Sequence, residues 1–330
     1  MTERLSDVVL RIRSVRQLSS VIGAMRGIAA ARAREAREHV EGVRAYAATV
    51  GAAIGQALAL VDDGGAPGSA RDGRGGHLVI AICAEQGFAG PFNRRVLEVA
   101  ERVLKADGAR RTELLLLGGR GLVAADERGL AVGWSRPMVA HVGEVGALAD
   151  RVTEQLYLRL GGGQATRVNL VHAIPAQGEI EVADRALAPF DFARFPLVRG
   201  ASPPIIAIPP RALLAELAQE YVFAELCEAL TLSLAAENEA RMRAMSAAKS
   251  NVVKMLDELV ARSRQLRQEE ITNEIIELGG GSARRDAGAD SGDELAVLNR
   301  ISTNPSSGRK SAHRPVQISR ASSLAMRCRR

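Results

Sequence analysis

The residues whose spacing most suggests chemistry lie between positions 84 and 144. Gly119-x-Gly121-x-x-Ala124 follows directly on the apolar run Thr112–Leu117, the order of strand, glycines and helix start that cradles a dinucleotide pyrophosphate. An acid stands about twenty residues further on, at Glu144, as that fingerprint asks. No strand is read leading up to it, however, and the glycines follow the second strand of the region rather than the first. The pattern favours a plain strand-to-helix turn. A second segment, Glu85-Gln86-Gly87-Phe88-Ala89-Gly90-Pro91-Phe92-Asn93, comes where the first strand of an α/β sheet meets its helix, a frequent ligand position. It lacks the Gly-Lys-Ser/Thr of a phosphate loop, which argues against nucleotide hydrolysis. The histidines at positions 39, 77, 141, 172 and 313 are widely spaced and form no ligand cluster. Cys83, Cys227 and Cys328 are an odd number without metal-like spacing. Cys83 in an apolar run and Cys227 on a helix read as buried thiols. No nucleophile elbow frames a serine. The sequence therefore predicts no catalytic residue, no cofactor and no metal.

Composition narrows the partners. The formal charge of +6 resides in residues 284–330, where ten Lys and Arg face four Asp and Glu; residues 1–283 balance at 34 against 34. With aromatics at 3%, base stacking has little to work with, and the body is not expected to bind nucleic acid. No window approaches the roughly 18–20 apolar residues of a membrane span. The charged start, with Glu3, Arg4, Asp7, Arg11 and Arg13, does not read as a signal peptide. These features fit a protein kept in the cytoplasm.

The elements that must position everything else are two long helices at the ends. From Leu5 the apolar residues Leu5, Val8, Ile12, Val15, Leu18, Ile22, Met25 and Ala29 step by three or four, one face of an amphipathic helix. Alanines then dominate to about Ala59, allowing a partner helix to come close. Asp62–Gly76 reads as a surface linker, so the first helix is assigned residues 1–60 and the linker 61–76. Strand-like runs at His77–Cys83, Thr112–Leu117, Val168–Ile174 and Ile180–Ala186 then alternate with helical patterns at Phe92–Ala106 and Glu144–Leu160. That alternation predicts a small α/β domain, Rossmann-like with a mostly parallel sheet, over residues 77–200. After Pro203-Pro204 and Pro209-Pro210 a helix runs unbroken to about Leu278, with the C-terminal helical segment assigned residues 208–283. Met245, Ala248, Val252, Met255 and Leu259 step 3, 4, 3, 4, the seam of a coiled coil. A helix of that size reaches on the order of 100 Å, more than one domain can cover, so the N-terminal helix is its expected partner. The fold class is thus α/β plus an antiparallel coiled coil of the two terminal helices. Residues 284–330 read as a disordered basic tail.

Both ends together resemble the gamma subunit of F-type ATP synthases. The N-terminal match runs through Arg11-Ile12-x-Ser14-Val15, Ile22-x-Ala24-Met25 and Ile28-Ala29-Ala30. The C-terminal match covers Glu237–Asn251 and Arg267-Gln268-x-x-Ile271-Thr272-x-Glu274-x-x-Glu277. Residues 84–93 are similar to the family's Ser-Asp-Arg-Gly-Leu-Cys-Gly-Gly-Phe-Asn loop, keeping Gly87, Gly90, Phe92 and Asn93. Departures at Glu85-Gln86, Ala89, Pro91, Arg26 and Ser282, with about 47 extra residues at the end, place the chain on a divergent branch, such as an alternative, N-type bacterial ATPase.

The resemblance implies a non-catalytic central-stalk rotor, one copy per complex. Its coiled coil would stand inside the hexamer of alpha and beta subunits, with the α/β domain beside the epsilon subunit and the membrane c-ring. By residue-for-residue carry-over, Met25, Arg26, Arg267, Gln268, Thr272 and Glu274 would contact the beta subunits, with Ile22, Met245, Val252, Met255 and Leu259 in the seam. Membrane association would come only through the complex, at the cytoplasmic face of the bacterial inner membrane. Two other readings stay open on residues alone: a coiled-coil scaffold whose α/β domain binds a partner or ligand, and a dinucleotide enzyme resting on Gly119-x-Gly121.

Overall fold

A computed structural model describes residues 4–61, 75–106, 111–176, 178, 180–198 and 204–286, with side chains placed as far as Leu278. The linker assigned to 61–76 and the tail beyond Asp286 fall almost wholly outside the described residues. The chain divides after Glu270 into two units. Helix α5 (Pro210–Asp286) gives residues 210–270 to the first and its last turns to the second.

In the first unit, helix α1 (Leu5–Leu58) is 54 residues long and its inner face keeps a seven-residue repeat, interrupted at Arg26. Val8, Val15, Ile22, Ala29, Ala36, Val50 and Ala57 are buried at one position of the repeat, with Val43 half-buried in the same series. Ile12, Ala33, Val40 and Ile54 are buried at the other, and Ser19 and Ala47 half-buried. Leu18, which the stepping placed inward, is half exposed because Ser19 holds the repeat. A strict seven-residue period imposes a left-handed supercoil on helices that follow it. Helix α5 opens with Pro210 at its first position, where a missing N–H removes nothing. It runs antiparallel to α1. Arg37 pairs with Glu239 at 2.6 Å, Arg44 with Glu228 at 2.8 Å, and the Tyr46 hydroxyl donates to Glu220, so rising numbers on one helix meet falling numbers on the other.

The sheet runs in the order β3-β2-β1-β4-β5, from strands β1 (Gly76–Ile82), β2 (Thr112–Leu117), β3 (Val132–Arg136), β4 (Ala165–Ile174) and β5 (Glu181–Ala188). All neighbours are parallel except β4 and β5. Strand β3 is an addition to the sequence reading. Between the strands lie helices α2 (Phe92–Ala106), α3 (Gly119–Asp126) and α4 (Val145–Gly161). Because strand side chains alternate, Val79 and Ala81 of β1 pack with α2 and α3 in one core. Leu78, Ile80 and Ile82 pack with α4 and with Leu226, Leu230 and Leu234 of α5 in the other. Every residue of α5 from Ala224 to Arg241 is buried except the half-buried Glu228. A third cluster, Val50, Ile54 and Ala57 with Phe195 and Leu214, joins the end of α1 to the start of α5.

Candidate functional site

The seam between the terminal helices consists of Val15, Ile22, Met245 and Val252, with Met25, Ala248, Leu256 and Leu259 partly buried against them. Met255 lies outside it, 50% exposed. The inner face steps from Val252 to Leu256, by four residues and not three, so the adjacent leucine takes the place the spacing gave to Met255. Arg26 stands seven residues after Ser19 and seven before Ala33, where the repeat asks for an inward residue, yet it is exposed. Met25 beside it supplies the half-buried contact instead. The two neighbours are thus divided, Met25 half-buried on the seam and Arg26 exposed at an inward position of the repeat. Arg267 and Gln268 are exposed on the part of α5 that belongs to the first unit, and Thr272 and Glu274 are exposed in the second. The second unit's helical turns also expose Ile271, Ile275, Ile276 and Leu278.

The glycine-rich features have structural roles that the sequence alone did not reveal. Gly118 has φ +103° and a Cβ there would stand 2.4 Å from the Cys83 carbonyl oxygen. Gly121 lets α3 pack against Cys83, the residue after β1, since a Cβ there would fall 2.1 Å from that of Cys83. The amide that would greet a pyrophosphate is already occupied: Gly119 N–H donates to the Glu85 carboxylate at 2.8 Å, and Met138 N–H donates to the same oxygen at 2.9 Å. A carboxylate in that place repels a phosphate. A strand does precede Glu144, contrary to the sequence reading. It ends at Arg136, however, and Glu144 instead precedes α4, accepting from Ala140 N–H at 3.3 Å. No acid is offered to a ribose at the end of β3, and the dinucleotide reading falls.

The loop after β1 is held by α5. Glu237, 3% exposed, accepts from Gln86 N–H at 3.4 Å and pairs with Arg241. The Arg241 guanidinium donates to the Gly87 carbonyl at 3.2 Å, to that of Gln86 at 3.4 Å and to Asn238 Oδ1 at 2.8 Å. Burial pushes the Glu237 carboxyl upward, and the Arg241 charge only partly offsets this. Asn93 Oδ1 accepts from Ala84 N–H at 2.8 Å and closes the loop. Phe88, at its tip, is exposed at φ +62°. No group of His, Cys, Asp and Glu able to hold a metal occurs among the described residues, and none of their helices is long and apolar enough to cross a membrane.

A family model described as ATP synthase matches residues 4–283. The chain is 30% identical over 279 residues to the ATP synthase gamma chain of Moorella thermoacetica, covering 84% of this chain and 97% of that one. The chain belongs to the ATP synthase gamma-chain family. The gamma chain of Solibacter usitatus is 29% identical over 297 residues, with 84% and 98% covered. Among solved structures, a chain of the Euglena gracilis mitochondrial ATP synthase (OSCP/F1/c-ring, rotational state 3) aligns at TM-score 0.59 with 13% identity, over 89% of this chain and 98% of that one. A chain of the Tetrahymena thermophila mitochondrial ATP synthase central stalk/c-ring aligns at TM-score 0.51 with 18% identity, over 69% and 99%. At those identities the structures speak for the fold: paired terminal helices around an α/β sheet.

Proposed function

We infer that this chain is the gamma subunit of an ATP synthase, a non-catalytic part of the central stalk that turns within the complex containing F1 and the c-ring. The observation that carries this is the family match over residues 4–283. It coincides with the α1–α5 seam. The helices serve as a shaft: ion flow through the c-ring turns it, and the asymmetric turning makes chemically identical beta subunits differ.

The finer assignments are ours. The α/β domain is assigned to the side of the epsilon subunit and the c-ring, and the coiled coil to the bore of the alpha-beta hexamer, one copy per complex. Arg26, Arg267, Gln268, Thr272 and Glu274 are assigned to contacts with beta subunits, and Met25 to both the seam and that contact. Exposure at an inward heptad position supports the assignment for Arg26. Polar groups of this kind form charge-assisted hydrogen bonds in one rotary position and release them in the next. The complex would hold the chain at the cytoplasmic face of a bacterial inner membrane.

The test is affinity purification of the full chain co-expressed with its alpha and beta subunits. Stoichiometric recovery of both, with ATPase activity that depends on this chain, is expected. Recovery of the chain alone, or of an unrelated partner set, would return the reading to a scaffold.

A further inference from the structure

The β1 and β4 strands are parallel neighbours from which the chain leaves in opposite directions: β1 leads through α2 towards β2, whereas β4 is reached through α4 from β3 on the far edge. This is a topological switch point, and in open α/β sheets the crevice outside the carboxyl ends of the two strands is where ligands bind. Here the crevice is filled from within the chain. Ser233 Oγ accepts from Ala173 N–H near the end of β4 at 3.1 Å. Glu237 and Arg241 hold Gln86 and Gly87 in the loop after β1. Arg243 donates to the Ala176 carbonyl in the loop after β4 at 3.3 Å and pairs with Glu239 at 3.7 Å. Ala236 and Ala240, on the same stretch, pack into the core shared by β1, β4 and α2.

The polarity of the crevice decides what it can hold. Its loops turn three carbonyl oxygens, of Gln86, Gly87 and Ala176, towards the centre. Carbonyls attract guanidinium groups, whereas a nucleotide phosphate needs converging N–H donors. The nearby amides of Gln86 and Gly119 are each taken by a carboxylate.

We propose that the switch-point crevice is a clasp for α5, gripping the turns from Ser233 to Arg243. Arg243, with Glu237 and Arg241, acts as a positioning residue that fixes the rotational register between the α/β domain and the helix. The clasp itself stands on this chain alone. Its use, passing torque between domain and shaft, rests on the rotor reading above.

The experiment has an arm for each. On the full chain alone, hydrogen exchange is followed at Gln86 and Ala173 in Arg241→Lys and Arg243→Ala variants. Exchange there should rise about tenfold or more, the factor set by losing one hydrogen bond to a charged donor, while amides at the centre of β1 keep their protection. Unchanged exchange in both variants, or saturable stoichiometric binding of ATP, ADP or NAD to the parent chain, would overturn the clasp. In the full complex in vesicles, Arg243→Ala should lower the ratio of ions pumped to ATP hydrolysed, and Arg243→Lys should restore it; an unaltered ratio overturns the torque role. Should the alanine variant not assemble, a short bifunctional thiol reagent joining Arg243→Cys to Ala176→Cys takes its place. Pumping that survives this staple supports a closed clasp, and pumping abolished by it overturns one. Failure of the parent chain to assemble with alpha and beta counts against the rotor reading and leaves the exchange arm standing.

Discussion

His172 is 1% exposed on β4, and burial, helped by the nearby Arg185 charge, holds its pKa down at about 4 against the Ala173 carbonyl and Glu228, which favour its charged form. The folded protein therefore keeps this imidazole neutral at a pH where the unfolded chain has already taken up a proton. Between the ordinary value of 6.5 and about 4 the unfolded state binds more protons, so stability is lost as pH falls through that window. The loss approaches ~1.4 kcal/mol per pH unit for one such group. Glu237, held above its ordinary value, acts in the opposite sense: its folded form gains a proton first as pH drops. The informative measurement is thus the difference in denaturant midpoint between the parent and His172→Gln from pH 7 to 4. We expect the difference to narrow as pH falls, and a constant difference would refute the assignment. Removing Arg241 should be far more damaging than removing the pair, because it leaves Glu237 charged and buried. Arg241→Met alone should cost about 3–5 kcal/mol by chemical denaturation, and Glu237→Leu added to it should recover most of that. The thiols are equally governed by burial: Cys227 is pushed up to about 12 by burial and then by the Asp150 and Glu220 charges, and Cys83 is raised further in the same way. A Cys328→Ser chain should therefore resist maleimide at neutral pH until it is unfolded.

At the scale of elements, the seam makes a sharper claim than the spacing did. Ile22→Ala should destabilise the full chain by roughly 2–4 kcal/mol, and Met255→Ala, on the outer surface, by less than about 0.5 kcal/mol. Equal losses at the two positions would place Met255 back in the seam. Why the sequence misled there is plain from its neighbours: Met255 and Leu256 are both apolar, and either satisfies a three-or-four step. The missed β3 has a different cause. Val132-Gly133-Trp134-Ser135-Arg136 is a half-buried edge strand with two apolar side chains, too weak an alternation to stand out. The fully buried stretch of α5 was hidden for a third reason. Its Glu225, Glu237, Glu239 and Arg241 look like a solvated face until Arg185 and Arg194 pair with Glu225, Arg37 pairs with Glu239, and Glu237 and Arg241 pair with each other against the loop after β1. The apolar runs of β1, β2 and β4 were legible because these strands are buried on both faces, and that of α1 because one face of it is buried along most of its length. The beta-subunit contacts proposed for Arg26 and Arg267 rest on family resemblance, since an exposed arginine carries no local mark of a partner.

For the molecule as a whole, the balance of 34 cationic and 34 anionic residues over 1–283 suits a part that must move past others without being trapped by net attraction. The excess charge beyond position 283 lies outside the region matched by the family. Truncation after Arg284 is accordingly expected to leave co-purification with alpha and beta at the parental yield, and a lost complex would assign the tail a structural part. One mechanical consequence follows from the seven-residue repeat of α1, which only Arg26 interrupts. Two strands laid around each other with a left-handed turn form a rope, and a rope has no mirror plane. Twisting it with its lay presses the strands together; twisting it against the lay eases them apart. A shaft built this way is stiffer in one sense of rotation than in the other.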